Sequence, residues 1–448
     1  MLLSKLKDKL NNDGHLKDLL KGSAITFVLK MSGMGLGFIL TYLISRRLGP
    51  DGVGFYNLML QVLMVLGMVL GLGMNMAVLR YVGQFDNEKE RPKMHDLYRY
   101  FISIVGPLSI SVSIAMYLSA GWLMNLMGKE QEYVEGLRLV AFVLPFFTVN
   151  QISVEFIRGL KKLQISELVR SVLRPLVIIL GVLVFFQDNL AKMDVIYLLV
   201  IALVINSLVS RWAIWKALKK VTRQTQSFQI KELMKTSFPM MVTGISSSLL
   251  VAMPVFFLDY YQGQSEVGVF SVAYRLAGMV SLVLVVINTI AAPKFAALYW
   301  ANKKEDLQRF VSQAAGIMFW VALFLSILLV IKGKFWLGLF GEEFKTGSGI
   351  LTVLVVGQLV NAATGSVGVF LNMSGQQKTL RSVMVVSTFI VAVSMPFAIH
   401  IFQAFGAACL LGINAVVTNT VLVFAVKKST GLKTYHNPFQ LIKLFRGR

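Results

Sequence analysis

The residues of this sequence with most chemistry to offer are cations set inside long apolar runs. Lys30, Arg174 and Arg275 each lie well within a hydrophobic segment. Counted from the segment ends at 1.5 Å per residue, Lys30 is about 10 Å deep and Arg275 about 12 Å. A charge at the centre of a membrane helix costs about 2.5–3.5 kcal/mol on insertion scales, so such a residue usually faces a protein interior or a water-filled cavity. The chemistry open to it there is anion binding, through charge-assisted hydrogen bonds that Arg can make in bidentate fashion. Snorkelling of a long side chain to the interface is the competing reading for Lys30 and Arg275. Arg174 is placed about as deep and precedes Pro175, which removes a helix hydrogen bond at that turn.

A second group surrounds it. Arg170 and Arg174 are spaced i, i+4 on one helix face, near Glu167 and, across a turn, Glu155 and Arg158. This pattern reads first as a structural ion-pair network at an inner gate. Amides within the runs (Gln61, Asn75, Asn150, Gln151, Asn288, Gln358, Asn361) could line a hydrated path, but for each one hydrogen bonding between helices is the better reading. The candidate cavity set is Arg275, Lys30, Arg46, Gln61 and Arg174; the candidate gate set is Glu155, Arg158, Glu167 and Arg170.

Catalytic constellations are not evident. His15, His95, His400 and His436 are scattered and form no metal-ligand spacing, and no Walker A sequence occurs. The lone cysteine, Cys409, allows no intrachain disulfide and no thiolate zinc site. Short loops leave no room for a large extramembrane catalytic domain. The reading is of a protein that is not an enzyme and has no metal.

The elements that must carry these residues follow from composition. Of 448 residues, 56% are hydrophobic and only 15% charged, where a soluble domain is roughly 25% charged. Twelve runs are long enough to cross a hydrocarbon core of about 30 Å. They fall near 23–44, 55–79, 99–120, 137–157, 166–186, 195–216, 238–258, 267–291, 310–331, 349–371, 381–401 and 405–426. Most reach the length that a spanning helix needs and are about twice that of a barrel strand, so they are read as helices. The first lacks a signal-peptide cleavage site and is read as retained. With the N-terminus inside, inner segments hold 32 Lys and Arg and outer loops hold 7. Both termini are therefore expected in the cytoplasm of a multi-pass cell-membrane protein. The same asymmetry accounts for most of the net charge of +22 without nucleic acid.

The chain repeats itself at a constant offset, the separation of Val53 from Val267. Lys17-Asp18-Leu19-Leu20-Lys21-Gly22-Ser23 resembles Lys231-Glu232-Leu233-Met234-Lys235-Thr236-Ser237. The same offset carries Val53-Gly54 onto Val267-Gly268 and Phe156 onto Phe370; shortened by three positions, it carries Arg170-Ser171-Val172 onto Arg381-Ser382-Val383. Six spans per half give both halves one orientation, a parallel repeat with the ligand site expected between them. The expected organisation is a basic lead-in at 1–22, an N-lobe at 23–216, a cytoplasmic linker at 217–235, a C-lobe at 236–426 and a basic tail at 427–448. Leucines interleaved with lysines in the lead-in suit either an amphipathic surface helix or a flexible basic segment.

Arg46-Arg47-Leu48-Gly49-Pro50-Asp51-Gly52-Val53-Gly54-Phe55-Tyr56, closing the first span, is similar to the Arg-x-Leu-Gly-Pro-x-x-aromatic-Gly signature of the polysaccharide-type (Wzx-like) flippases of the MOP exporter superfamily, with Val53 in place of the aromatic residue. Ser237-Phe238-Pro239, Glu266-Val267-Gly268-Val269-Phe270-Ser271-Val272-Ala273, Leu339-Phe340-Gly341, Ser374-Gly375-Gln376-Gln377-Lys378 and Phe405-Gly406-Ala407-Ala408 extend the resemblance over nearly the whole chain. Many relatives carry an acid late in the seventh span. This chain has Met253-Pro254-Val255 there, with Asp259 a turn later.

The resemblance implies an all-α, two-lobed, twelve-helix protein of MATE-like fold. It would move an undecaprenyl-pyrophosphate-linked oligosaccharide from the inner to the outer leaflet by alternating access. No cofactor is expected, and coupling to a proton or sodium gradient is left open. Expected partners are the lipid-linked substrate, membrane lipids and the polysaccharide polymerase or glycosyltransferase machinery, with the protein itself a monomer. The alternatives are a multidrug or other solute/cation antiporter of the same superfamily, for which intramembrane acids would be expected, and beyond it a structural or assembly membrane protein or an intramembrane enzyme.

Overall fold

A computed structural model describes residues 14–85, 91–186, 189–219, 221 and 230–435. Most of the lead-in, nearly half of the linker and the end of the basic tail lie outside the described residues. Among the described residues the chain is mostly helical and has no strand. The helices in order are α1 (Gly14–Leu70), α2 (Met74–Gln84), α3 (Met94–Leu126), α4 (Gln131–Gly159), α5 (Leu163–Glu167), α6 (Arg174–Phe185), α7 (Lys192–Leu218), α8 (Ile230–Tyr261), α9 (Gln264–Gly278), α10 (Leu282–Trp300), α11 (Lys304–Ile331), α12 (Gly333–Gly338), α13 (Ser348–Ala363), α14 (Val367–Met373) and α15 (Gln377–Thr430). A π-helical turn, Leu168–Leu173, joins α5 to α6.

Among the described residues, nine helices are long and apolar enough to span a membrane, and the pair α9 and α10 makes a tenth, bent by 43°. Two of the nine are too long for one crossing. Ile25–Leu70 is 46 residues and Gln377–Thr430 is 54, about 70 and 80 Å at helical rise. Each is two helices joined end to end at a non-helical residue, Gly49 (φ 65°) and Gln403 (φ 54°). Gly49 breaks the helix just before Pro50, whose fixed φ suits the start of a new one. Taken as two crossings each, these segments make the count compatible with the twelve read from the sequence.

Several spans expected to be continuous are broken. The second turns at Gly71–Gly73, with Leu72 and Gly73 both at positive φ. The eighth is interrupted between Gly278 and Leu282, where Ser281 Oγ donates to the Gly278 carbonyl at 2.8 Å. The tenth is interrupted between Ala363 and Val367, with Gly365 at φ 73°. Each break lies within an apolar stretch, so hydropathy alone does not reveal it.

The chain divides into two compact units: residues 1–43 with 59–245, and residues 44–58 with 246–448. The boundaries differ from the expected lobes in that 44–58 groups with the second unit and 236–245 with the first. In the first unit α4 is the central helix, packed against α2, α3 and α7 and buried around its circumference. Its core includes Ala77, Leu97, Phe156 and Ile157, with Tyr98 edge-on to Phe156 at 5.1 Å. In the second unit α13 packs against α9, α11 and α15. Its core includes Ala291, Val311, Phe370 and Leu371. Each of these four follows its counterpart by the offset that separates Val53 from Val267, so the repeat seen in the sequence reappears as matching cores.

Candidate functional site

Helix α1 crosses the fifth span at Gly33 and Ser171, and a group of charged residues lies near this crossing. A Cβ on Gly33 would lie 2.6 Å from Ser171 Cβ and 2.7 Å from the Ser171 carbonyl oxygen. Only glycine lets the backbones approach this closely. Ser171 lies in the π turn, and Pro175, four residues on, has no N–H to give its carbonyl. Proline and π turn together leave that carbonyl on the face where α1 passes. Wide turns of this kind recur at functional sites.

The charged residues are arranged about the crossing. Arg174 lies three residues beyond Ser171, at the centre of the 163–185 span and about 16 Å from either end. It is half-buried, and its Nε is shielded from solvent without a hydrogen-bond partner. Lys30 lies three residues before Gly33, so the two cations are separated by about 9 Å along the helices, one on each side of the contact. Lys30 is exposed although it shares a helix face with buried Gly33, Thr41 and Ile44. Val28, Ser32, Gly35 and Ile39 form the opposite, exposed face. Lys30 thus belongs to the packed side of its helix, which favours an internal polar path over a lipid-facing snorkel. Among the described residues neither Arg174 nor Lys30 has a hydrogen-bond or ion-pair partner.

On the Lys30 side of the crossing the charges are paired. Glu155 is 5% exposed on α4; Arg170 Nη2 donates to its Oε1, and Arg158 Nη1 stands 3.6 Å from its Oε2. Glu167 Oε1 accepts the Ser171 hydroxyl. This arrangement ties the π turn to the central helix. It brings together Glu155, Arg158 and Arg170, with Glu167 on the same turn as Ser171.

The remaining candidates lie elsewhere. Gln61 is half-buried on the second span of the first unit. Arg46 is exposed beside the Gly49 break and groups with the second unit. Arg275, read from the sequence as lying eight residues into a continuous span, is in the last turn of α9, one turn before the break. A cation there interacts favourably with the negative end of the helix dipole. Arg275 therefore has a structural reason for its position that Arg174 lacks. The amides behave as ties between helices: Ser210 Oγ donates to Asn150 at 2.6 Å, and Ser366 Oγ donates to Asn288. One residue outside both candidate sets belongs with these cations: Arg138 of α4 is half-buried, stands 5.4 Å above the Tyr117 ring and has a buried Nε without a partner. Its charge within an apolar run was the available signal.

This cluster falls within residues 19–299, which match the family model described as polysaccharide biosynthesis protein. The chain belongs to that family. It is 25% identical over 341 residues to a protein named as a putative O-antigen transporter of Shigella flexneri, covering 73% of this chain and 77% of that one. It is 19% identical over 401 residues to the capsular polysaccharide biosynthesis protein CapF of Staphylococcus aureus, covering 89% and 97%. It is also similar to the succinoglycan biosynthesis transport protein ExoT of Rhizobium meliloti, 22% identical over 323 residues, covering 69% and 62%. In fold it resembles an inward-facing multidrug-resistance MATE transporter of the MOP superfamily, with TM-score 0.74, 17% identity and coverage of 92% of this chain and 97% of that one. A MOP superfamily transporter from Pyrococcus furiosus, whose structure is described as having a binding pocket of reversed polarity, is similar at TM-score 0.67 and 18% identity, covering 92% and 96%. The family member described here is thus a multi-pass membrane protein of the MATE/MOP fold.

Proposed function

We propose that the protein is a flippase that carries a lipid-linked oligosaccharide across the cytoplasmic membrane during polysaccharide biosynthesis. The observation that carries this reading is Arg174, a guanidinium at mid-membrane depth with no partner among the described residues. An ion so placed is costly unless it faces water or meets an anion. The cargo that such a cation suits is a polyprenyl pyrophosphate bearing sugars, whose anionic, hydrated headgroup cannot enter hydrocarbon unaided. Arg174 and Lys30 would offer it two successive contacts at different depths. The Glu155 network would hold the π turn that presents them.

The named relatives support a glycan cargo, since two of them are called transporters of O-antigen and succinoglycan. In this reading both termini are cytoplasmic, transport runs from inner to outer leaflet by alternating access, and a proton or sodium gradient supplies any drive. The test is reconstitution of the purified protein into liposomes containing an undecaprenyl-pyrophosphate-linked oligosaccharide, with transbilayer movement followed by a glycan-modifying enzyme added outside. Movement above protein-free liposomes is the expected result. Absence of movement together with gradient-driven efflux of a cationic drug would replace this reading with that of a solute antiporter.

A further inference from the structure

A cavity of about 480 Å³ opens where the 298–304 segment meets the end of α15. Its polar lining is Asn302, Lys304, Ser429 and Thr430, and its apolar lining includes Trp300 and Leu432. The walls are fixed in place. Trp300 Nε1 donates to the Met373 carbonyl at 3.2 Å, leaving the ring 68% exposed. Ser429 Oγ donates to Gln376 Oε1 at 2.8 Å. The stretch of chain below is strapped by Gln308, whose Nε2 donates to the Lys433 carbonyl while its Oε1 accepts the Lys433 N–H, both at 2.8 Å. Leu432 is buried in the core of the second unit. A Cβ on Gly431 would come within 3.1 Å of Lys304 Nζ, so the ammonium reaches across from one wall to the other.

The surrounding charge has one dominant sign. Lys303, Lys304, Lys427, Lys428 and Lys433 are all exposed on the two segments that form the cavity. Glu305 and Asp306 offset part of this, but the chain contains no Asp or Glu after Glu343. By the distribution of basic residues this corner lies at the inner face. An exposed tryptophan beside a lysine there marks the level of the lipid headgroups.

We infer that this cavity binds the phosphate headgroup of an anionic glycerophospholipid of the inner leaflet. Lys304 and the Asn302 amide hold the phosphate, and the exposed Trp300 ring flanks the start of the acyl chains. A zwitterionic headgroup would bring its own ammonium against the surrounding lysines. The inference rests on the inward orientation of this face and is independent of the cargo carried elsewhere.

Native mass spectrometry of the full chain, titrated in detergent with phosphatidylglycerol and with phosphatidylcholine, tests it. Wild type should retain phosphatidylglycerol in preference, and Lys304→Gln should weaken that retention about fivefold, the worth of one lysine near an anionic surface. Lys332→Gln, at the opposite end of the same helix, should leave it unchanged, and melting temperatures should stay level in both. Asn302→Gly, which removes the amide and suits the positive φ of that position, serves as the second pocket variant if Lys304→Gln does not fold. Equal retention by the pocket variants and wild type would overturn the proposal. So would displacement of the lipid by inorganic phosphate, which would mark a site for soluble anions. Tighter retention of undecaprenyl pyrophosphate than of phosphatidylglycerol, lost in the same variants, would assign the pocket to the transported lipid instead.

Discussion

Gly54 and Gly268 meet through a reciprocal contact. A Cβ on Gly54 would overlap the Gln264 carbonyl oxygen, and a Cβ on Gly268 would overlap the Pro50 carbonyl oxygen. Both pairs, Gly54 with Gly268 and Pro50 with Gln264, are related by the one offset at which the sequence repeats. Residue i meeting j while j's counterpart meets i's makes this contact locally two-fold symmetric. The contact explains why 44–58 groups with the second unit, and on the charge-based topology it lies at the outer end of the second and eighth spans.

Gly54→Ala and Gly268→Ala should therefore be destabilising by similar amounts, about 1–3 kcal/mol each, the usual cost of overpacking. Gly121→Ala is the control. A Cβ there meets nothing within 4 Å, so it should be neutral or stabilising by up to about 1 kcal/mol through helix propensity. Thermal unfolding in detergent distinguishes these outcomes, and a cost at only one of the two glycines would count against the symmetry.

Glu155→Gln should lower stability by about 1–2 kcal/mol. Breaking a fully buried pair costs more than this, but Arg158 and Arg170 are partly exposed and water screens them. Arg170→Gln in the same background should add little, because the pair is already lost. Fully additive losses would show that the two side chains do not interact.

Pro175→Ala restores an N–H that can reach the Ser171 carbonyl and should draw the π turn toward α-helix. Melting temperature should hold or rise while flipping per molecule falls, since Arg170 and Ser171 turn away from Glu155 and Gly33. Unchanged flipping would show that the turn has no part in transport.

Topology is tested by cysteine placed at Ser227 after replacement of Cys409. An impermeant thiol reagent should label it only in permeabilised cells. Labelling in intact cells would invert the orientation and move the lipid pocket to the other leaflet.

Much of the fold is legible in the sequence because apolar length is additive along the chain. The repeat is legible too, since Phe156 and Phe370 occupy matching cores. The helix breaks are not: hydropathy does not register the positive φ of Leu72 and Gly73 or the turn at 279–281. This affects the site directly. Arg275 reads as a cation inside a continuous span, whereas the break after Gly278 makes it the end of a helix. The membrane depth of Arg174 and the cluster of Glu155, Arg158 and Arg170 can be read from spacing. The absence of a partner for Arg174 among the described residues cannot, because it depends on which side chains the crossing at Gly33 and Ser171 brings near.

The central claim is that Arg174 meets the cargo, and flipping per molecule of Arg174 variants in liposomes tests it most directly. Arg174→Ala should abolish movement of the lipid-linked oligosaccharide while abundance and melting temperature stay normal. Arg174→Lys should retain part of it, because the charge remains while the bidentate fork is lost. Wild-type flipping by Arg174→Ala, or a loss explained entirely by reduced protein level, would contradict the account.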